Sequence, residues 1–357
     1  MTKPIRVLIV DDSPTVRHAL KGILEQDPLL QVMGMAENPV AAAEQLRREV
    51  PDVITLDIEM PRMNGLTFLD RLMAQHPIPV VICSSHSQAG SDVALSALEK
   101  GAVDIIAKPR LGTEEALQES AVHICDVVKA AARAKPRRRA AAPAKRRPTA
   151  KLTADAMLSL PPNQSMTATE TVIVVGASTG GPVALASLLC ELPAACPGIL
   201  IVQHMPERFT ASFATRLNEQ CELEVQEAKD GDTVRPGLVL IAPGGLHMML
   251  IRRGTRYSVS VKAGPLVSRH RPSVDVLFRS AARYAGTNAL GIIMTGMGDD
   301  GARGMLEMKT AGAYNIAQDE TTSVVFGMPH EAFKLGAVDK VVPLPEIADE
   351  VIRYSAR

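Results

Sequence analysis

Tryptophan does not occur among the 357 residues, and aromatic residues make up only 3%. So thin a supply leaves no aromatic side chains interleaved with basic ones, the pattern on which a nucleic-acid platform stacks bases. Net charge is lacking too: 39 basic residues balance 39 acidic ones, so nothing overall draws the chain to nucleic acid or to a membrane surface. No CxxC pair occurs among Cys83, Cys125, Cys190, Cys196 and Cys221, whose mostly apolar surroundings read as reduced core thiols rather than disulfides or a zinc site. No apolar run reaches membrane length, and the run in "MTKPIRVLIVDD" is too short for a signal peptide and stops at two aspartates. These absences predict a cytoplasmic protein with no membrane insertion. What remains, 46% hydrophobic and 22% charged, is an ordinary globular composition in a chain long enough for two cores.

From Ile5 to about Ala132, short β-branched runs (IRVLIV, LQVMGM, DVITL, PVVIC, VDIIA) alternate with amphipathic stretches of helical length. That alternation predicts a doubly wound parallel sheet wrapped by helices over residues 1–128. Residues 129–168 are the expected linker: Lys129 to Lys151 holds only alanine, proline, threonine and basic residues. Such a composition buries too little apolar surface to offset chain ordering, so a mobile or partly helical segment is expected. The alternation then resumes (VIVVG, GILIVQH, GLVLIA, LGIIMTG), with an antiparallel piece around Met248–Ile251 and Tyr257–Val261. A second, larger α/β domain is predicted over 169–357, with a mostly parallel sheet and a β-hairpin.

Open parallel sheets form their sites beyond the carboxyl ends of the strands, so the residues that follow each apolar run are the ones to read for chemistry. In the first half these are Asp11 and Asp12, Asp57, Ser84 and Ser85, and Lys108 before Pro109. Three carboxylates on one edge repel one another unless a hard divalent cation sits among them, and Mg²⁺ favours carboxylates, a carbonyl and waters. A carboxylate beside Mg²⁺, with a lysine and a hydroxyl in reach, is equipped to accept a phosphoryl group. Helix capping explains one or two of these residues, not four strand ends together.

In the second half the first run breaks at Gly176-Ala177-Ser178-Thr179-Gly180-Gly181. A dinucleotide cradle needs a glycine where Ser178 stands, and a phosphate loop needs a lysine that is absent. The turn fits G-x-S-x-G, which lifts a serine above a strand end beside the free N–H groups of a helix, or else a plain strand-to-helix turn. Later runs end in Gln203 and His204 and in "TGMGDDG" with Asp299 and Asp300, so a serine, a histidine and an acid can converge on one edge. His247, His270 and His330 compete for the base, and Asp275, alternatively a helix cap, competes for the acid. The order Ser, His, Asp is not that of α/β-hydrolases, chymotrypsin or subtilisin.

The stretches "VLIVDDS", "LDIEMPRMNG", "PVVICSS" and "AKP" resemble the response-regulator receiver domain, with Ile105 where many receivers have an aromatic residue. The resemblance implies phosphorylation of Asp57, Mg²⁺ held by Asp11, Asp12, Asp57 and the carbonyl of Glu59, and phosphate sensing by Ser84 and Lys108. The stretches "GASTGG", "QHMP", "APGGLHM", "RHRPSVD" and "TGMGDDGARGM" resemble the catalytic domain of the chemotaxis protein-glutamate methylesterases, the CheB family. That implies Ser178 as nucleophile, His204 as base, Asp300 as orienting acid, the Met297 N–H as oxyanion donor and Thr179 as a further oxyanion or substrate contact. Gly180 and Gly181 would leave room for a receptor helix. The implied reaction, which needs no cofactor, hydrolyses glutamyl γ-methyl esters on methyl-accepting chemotaxis receptors and deamidates receptor glutamines. The resemblance also implies a chemotaxis histidine kinase as phosphodonor and a receiver that covers the serine edge until phosphorylated. The alternative is a response regulator whose output is nucleic-acid binding through Arg137, Arg138, Arg139, Arg146 and Arg147, although no helix-turn-helix pattern occurs, or a non-catalytic docking output.

Overall fold

The computed structural model describes residues 3–60, 65–85, 87–109, 114–134, 154–158 and 171–355 of the chain. It divides into two compact units, Met1–Ala141 and Ala142–Arg357. In the first, strands β1 (Ile5–Val10), β2 (Leu30–Ala36), β3 (Val53–Asp57), β4 (Val80–Ser84) and β5 (Asp104–Ala107) form a parallel sheet in the order β2-β1-β3-β4-β5. Strands β3 and β4 are buried at every residue, as a sheet covered on both faces requires. The covering helices are α1 (Pro14–Leu24), α2 (Pro39–Arg48), α3 (Gly65–Gln75), α4 (Gln88–Glu99) and α5 (Glu114–Arg133). Two of their starts are set locally: Ser13 Oγ accepts the Val16 N–H and Asn38 Oδ1 accepts those of Val40 and Ala41. Each is followed by a proline, whose missing N–H is no loss in a first helical turn.

Helix α5 continues past the boundary expected at residue 128. Val128, Ala130, Ala131 and Ala134 are buried, and Lys129 pairs with Asp27 and Asp126. Alanine is the strongest helix former and packs closely despite its size, so a lack of large apolar groups did not mark the end of the fold. Within the expected linker, Ala154 and Met157 also pack against Met249, Val267 and Val276 of the second unit. The remaining linker residues, 135–153 and 159–168, lie outside the described residues, as do residues 169 and 170.

The second unit carries the predicted mixture of parallel sheet and hairpin. Strands β6 (Val172–Ala177), β7 (Gly198–Gln203), β8 (Glu224–Glu227) and β9 (Leu238–Ile241) are followed by the antiparallel pair β10 (His247–Arg253) and β11 (Arg256–Lys262). Strands β12 (Ala289–Ile293), β13 (Tyr314–Gln318) and β14 (Lys340–Val342) complete a seven-stranded parallel sheet in the order β14-β13-β12-β6-β7-β9-β8. The helices are α6 (Gly181–Cys190), α7 (Phe209–Gln220), α8 (Val274–Tyr284), α9 (Ala302–Thr310), α10 (Met328–Lys334) and α11 (Leu344–Ser355). The hairpin turns at Gly254, whose φ of 63° suits a residue without a side chain. Strand β6 lies between β7, its successor, and β12, which returns from far along the chain. That is the switch point where a doubly wound sheet opens a crevice at the strands' carboxyl ends.

Cys83, Cys125 and Cys196 are the core thiols expected, but Cys190 is exposed and Cys221 half-buried. No described helix is long and apolar enough to cross a membrane.

Candidate functional site

In the first unit, Asp57 ends β3 and Asp11 and Asp12 follow β1. Their ligand oxygens lie within 4.8 Å of one another, with Asp11 and Asp57 buried and Asp12 exposed. Beyond β5, the Lys108 Nζ donates to Asp57 Oδ2 at 2.7 Å and lies 3.2 Å from Asp11 Oδ2. Burial, and then the charge of Asp57, push the Asp11 carboxyl above the usual carboxylate range against the opposing pull of Lys108. Burial acts against the Lys108 ammonium, but its bonds to Asp57 and Asp11 outweigh that and hold it above its ordinary value. Apart from the Lys108 ammonium, no group among the described residues pairs with the buried Asp11 Oδ2. Three hard oxygen donors within 4.8 Å of one another fit a small divalent cation. Ser84 is buried one residue beyond Cys83, the cross-strand partner of Asp57, and the Glu59 N–H donates to Asp57 Oδ1 at 2.9 Å. Ile105 is buried within β5.

In the second unit, Ser178 follows β6, His204 follows β7 and Asp300 lies beyond β12, so the switch point brings together the three residues read from the sequence. The His204 Nε2 donates to Asp300 Oδ2 at 2.8 Å. The same oxygen accepts the Val274 N–H at 2.8 Å, while Asp300 Oδ1 accepts Ser273 Oγ at 2.8 Å and the Asp275 N–H at 3.0 Å. Those two N–H groups open α8, whose own N-cap residue Ser273 makes no side-chain cap bond. Asp300 therefore caps that helix from another element and sits at the positive end of its dipole. Burial resists the charge, but the His204 bond, the neighbouring imidazoles and the Asp275 N–H prevail, and the carboxyl lies below its usual range.

An ionised Asp300 can only accept, so Nε2 carries a proton, and in the neutral imidazole the lone pair falls on Nδ1. That Nδ1 is buried and has no hydrogen-bond partner. The His204 ring stacks on His270 with centroids 3.7 Å apart and planes 10° from parallel.

Backbone ties hold Ser178 beside this histidine. The Ser178 N–H donates to the Thr295 carbonyl at 3.0 Å, and the His204 N–H to the Ala177 carbonyl at 3.1 Å. The buried Gln203 Nε2 donates to the carbonyls of both Ser178 and His204 at 3.0 Å. A Cβ placed on Gly296 would come within 2.7 Å of Ser178 Cβ, so the backbone just before Met297 abuts the serine. Thr179 is buried, with its carbonyl accepting Thr295 Oγ1 at 2.9 Å.

The two glycines of the turn serve packing rather than access. A Cβ on Gly180 would meet Val324 at 2.6 Å, one on Gly181 would meet Gln203 Oε1 at 2.0 Å, and Gly180 has a φ of 78°. The space expected for a receptor helix is filled from within the domain. The rival histidines fall elsewhere: His247 is buried behind Asp300, donating to the Pro265 carbonyl and accepting the Ser273 N–H, and His330 pairs with Glu331 on α10. The rival acid Asp275 is buried in the first turn of α8, accepting Ser268 Oγ and the Gly304 N–H. Burial, then the charge of Asp300, push its carboxyl up to about 7. The sequence marks Gln203 and His270 but not their roles as backbone tie and stacking partner, and it does not mark Ser273, since a serine just before a helix reads as an ordinary cap.

A family model described as CheB methylesterase matches residues 173–351, and one described as response regulator receiver domain matches residues 7–121. The protein-glutamate methylesterase/protein-glutamine glutaminase 5 of Anaeromyxobacter dehalogenans is 63% identical over 353 residues, which cover 98% of this chain and 97% of that protein. A protein of the same kind, numbered 2, from Rhodospirillum rubrum is 61% identical over 363 residues and all of both chains. The crystal structure of the Thermotoga maritima CheB methylesterase catalytic domain is similar with a TM-score of 0.51 and 38% identity, covering 52% of this chain and 99% of that one.

Proposed function

This chain belongs to the CheB methylesterase family, and on that premise we propose that it hydrolyses glutamate γ-methyl esters of chemoreceptors under the control of its receiver. The observation that carries the reading is the orientation of His204: Nε2 is committed to Asp300 and the buried Nδ1 is left to accept a proton. In this mechanism Nδ1 takes the proton of Ser178 Oγ as the oxygen attacks the ester carbonyl. Asp300, held ionised by four donors, stabilises the imidazolium. The Met297 N–H, next to Gly296 at the serine, receives the oxyanion, with Thr179 beside it. His204 returns the proton to the departing methoxide, methanol leaves, and water repeats the sequence on the acyl-serine to free the carboxylate. With a glutamine substrate, ammonia leaves instead of methanol.

In the receiver, the Asp57 carboxylate accepts the phosphoryl group from a chemotaxis histidine kinase, and Lys108 and Ser84 take its oxygens. Asp11, Asp12, Asp57 and the Glu59 carbonyl would hold Mg²⁺, which would supply positive charge to offset that of the phosphoryl group. The reading places the protein in the cytoplasm. The arginines of the nucleic-acid alternative lie outside the described residues, and no observation favours it. Methanol release from methylated receptor, measured with and without a small phosphodonor and Mg²⁺, tests both halves. Release that the donor accelerates supports the proposal; no release under either condition rejects it.

A further inference from the structure

Two cysteines that the hydrolytic reaction leaves unused lie together on the surface of the second unit. Cys190 is the last residue of α6 and Cys221 is the C-cap of α7. Their sulfurs are 3.2 Å apart, and Cys190 Sγ is also 3.7 Å from the Gln220 carbonyl. We propose that Cys190 and Cys221 form a modification site, a paired dithiol that hydroperoxides oxidise to a reversible disulfide.

The distance argues for it directly. An S–S bond is about 2.05 Å long, so closure needs the sulfurs to approach by only about 1.2 Å, within reach of side-chain rotation. Exposure assigns the order of events. Cys190 is open to solvent and meets the oxidant first, whereas Cys221 is half-buried beneath it. Burial, then the neighbouring Cys190 sulfur, push the Cys221 thiol up to about 12, so Cys221 is slow to meet an oxidant itself while its sulfur lies against that of Cys190. That division suits an attacking and a resolving thiol.

The steps balance. The Cys190 sulfur attacks one oxygen of hydrogen peroxide, the O–O bond breaks, and the departing oxygen leaves as water with the thiol proton, giving a sulfenic acid. The Cys221 sulfur then attacks the Cys190 sulfur. The S–O bond breaks, and the oxygen leaves as a second water with the Cys221 proton. Two thiols lose two electrons and one peroxide gains them.

The other three cysteines differ in the features that matter. Cys83, Cys125 and Cys196 are buried. Burial holds the thiols of Cys125 and Cys196 at about 11 and that of Cys83 higher still. Reducing compartments keep most thiols free, so this bridge belongs to the transient, redox-responsive kind. It would tie together the far ends of α6 and α7, the helices that follow Ser178 and His204.

The test is peroxide treatment of the full-length protein, followed by alkylation, unfolding and peptide mass mapping. The expected result is an intramolecular Cys190–Cys221 link that dithiothreitol reverses, with the other three thiols still open to alkylation after unfolding. Cys221→Ser is expected to stop at a sulfenic acid that dimedone traps on Cys190, and Cys190→Ser to leave Cys221 unmodified at the same dose. Two free thiols after treatment, or disulfide-linked dimers joined through Cys190 with Cys221 free, would overturn the proposal. So would Cys221 reacting as readily in Cys190→Ser as the pair does in the unsubstituted protein.

Discussion

Four donors converge on the two oxygens of Asp300, and the two side-chain donors, His204 and Ser273, can each be removed by substitution. Ser273→Ala deletes one of them, leaving the Asp275 N–H as the other donor to Oδ1. A hydrogen bond to a charged group contributes roughly 1.5–3 kcal/mol, so turnover is expected to fall by about tenfold or more. The acid limb of the pH profile should move upward, because a less satisfied carboxylate attracts the imidazole proton more strongly; a merely structural serine would leave that limb in place. Ser178→Ala and His204→Ala should each lower turnover by several orders of magnitude without unfolding the chain, read as methanol release beside circular dichroism. Near-normal turnover in the histidine variant would move the base to His270, the ring stacked on it. Asp275 supplies a pH test. Its carboxyl ionises near 3.8 when unfolded and at about 7 when folded, so between those values the unfolded state releases the proton first and stability falls as pH rises. Asp275→Asn keeps an acceptor for the Gly304 N–H and removes that slope. The variant's stability relative to wild type should increase by up to about 4 kcal/mol between about pH 4 and 7, measured by denaturant melts.

Among the elements, the β6–α6 turn and strand β13 explain what sequence reading can and cannot reach. The turn was legible because its glycines break a β-branched run locally, although their purpose was not: Gly181 faces Gln203, which lies 22 positions later, and that contact exists only once β7 pairs with β6. Gly181→Ala is expected to displace Gln203 from the Ser178 and His204 carbonyls and to cut turnover at least tenfold, while phosphodonor labelling of the receiver is unchanged. Loss of both activities would mean general unfolding instead. Strand β13, Tyr314–Gln318, escaped notice because polar residues interrupt it. Asn315 is fully buried, donating to the Met305 and Ala337 carbonyls, and Gln318 Oε1 accepts the Thr295 N–H. Hydropathy registers such residues as loop, yet the Gln318 amide holds the loop that carries the Thr295 carbonyl to Ser178, and the Asn315 amide ties α9 to the segment before β14.

At the scale of the whole molecule, a receiver domain and a methylesterase domain share one chain, and any coupling between them is testable without assuming its form. Asp57→Asn should abolish phosphodonor labelling in the presence of Mg²⁺ and, with it, any acceleration of methanol release. If the receiver restrains the esterase, proteolysis between the units should free a fragment spanning 171–357 that works faster than the unphosphorylated whole. A fragment no faster than the whole, with the donor still accelerating the intact protein, would mean that the receiver activates by positive contact. The domain pattern itself was readable, since alternation of β-branched runs with amphipathic stretches is a local property. The end of the first domain was not, because the alanines after Val128 pack in the core while resembling linker in composition.

Sequence alone determined which residues stand at the strand ends: Asp11, Asp12, Asp57, Ser84 and Lys108 in one half, Ser178, His204 and Asp300 in the other. Each is marked by the run that precedes it, and such runs are governed by neighbours a few positions away. Tertiary structure alone set His204 Nε2 against Asp300 Oδ2 and buried Asp275 in the first turn of α8. It also decided which imidazole nitrogen is left free and that Cys190 meets Cys221. His204 and Asp300 are 96 positions apart, and the order in which strands pair, not their spacing along the chain, sets the 2.8 Å between them.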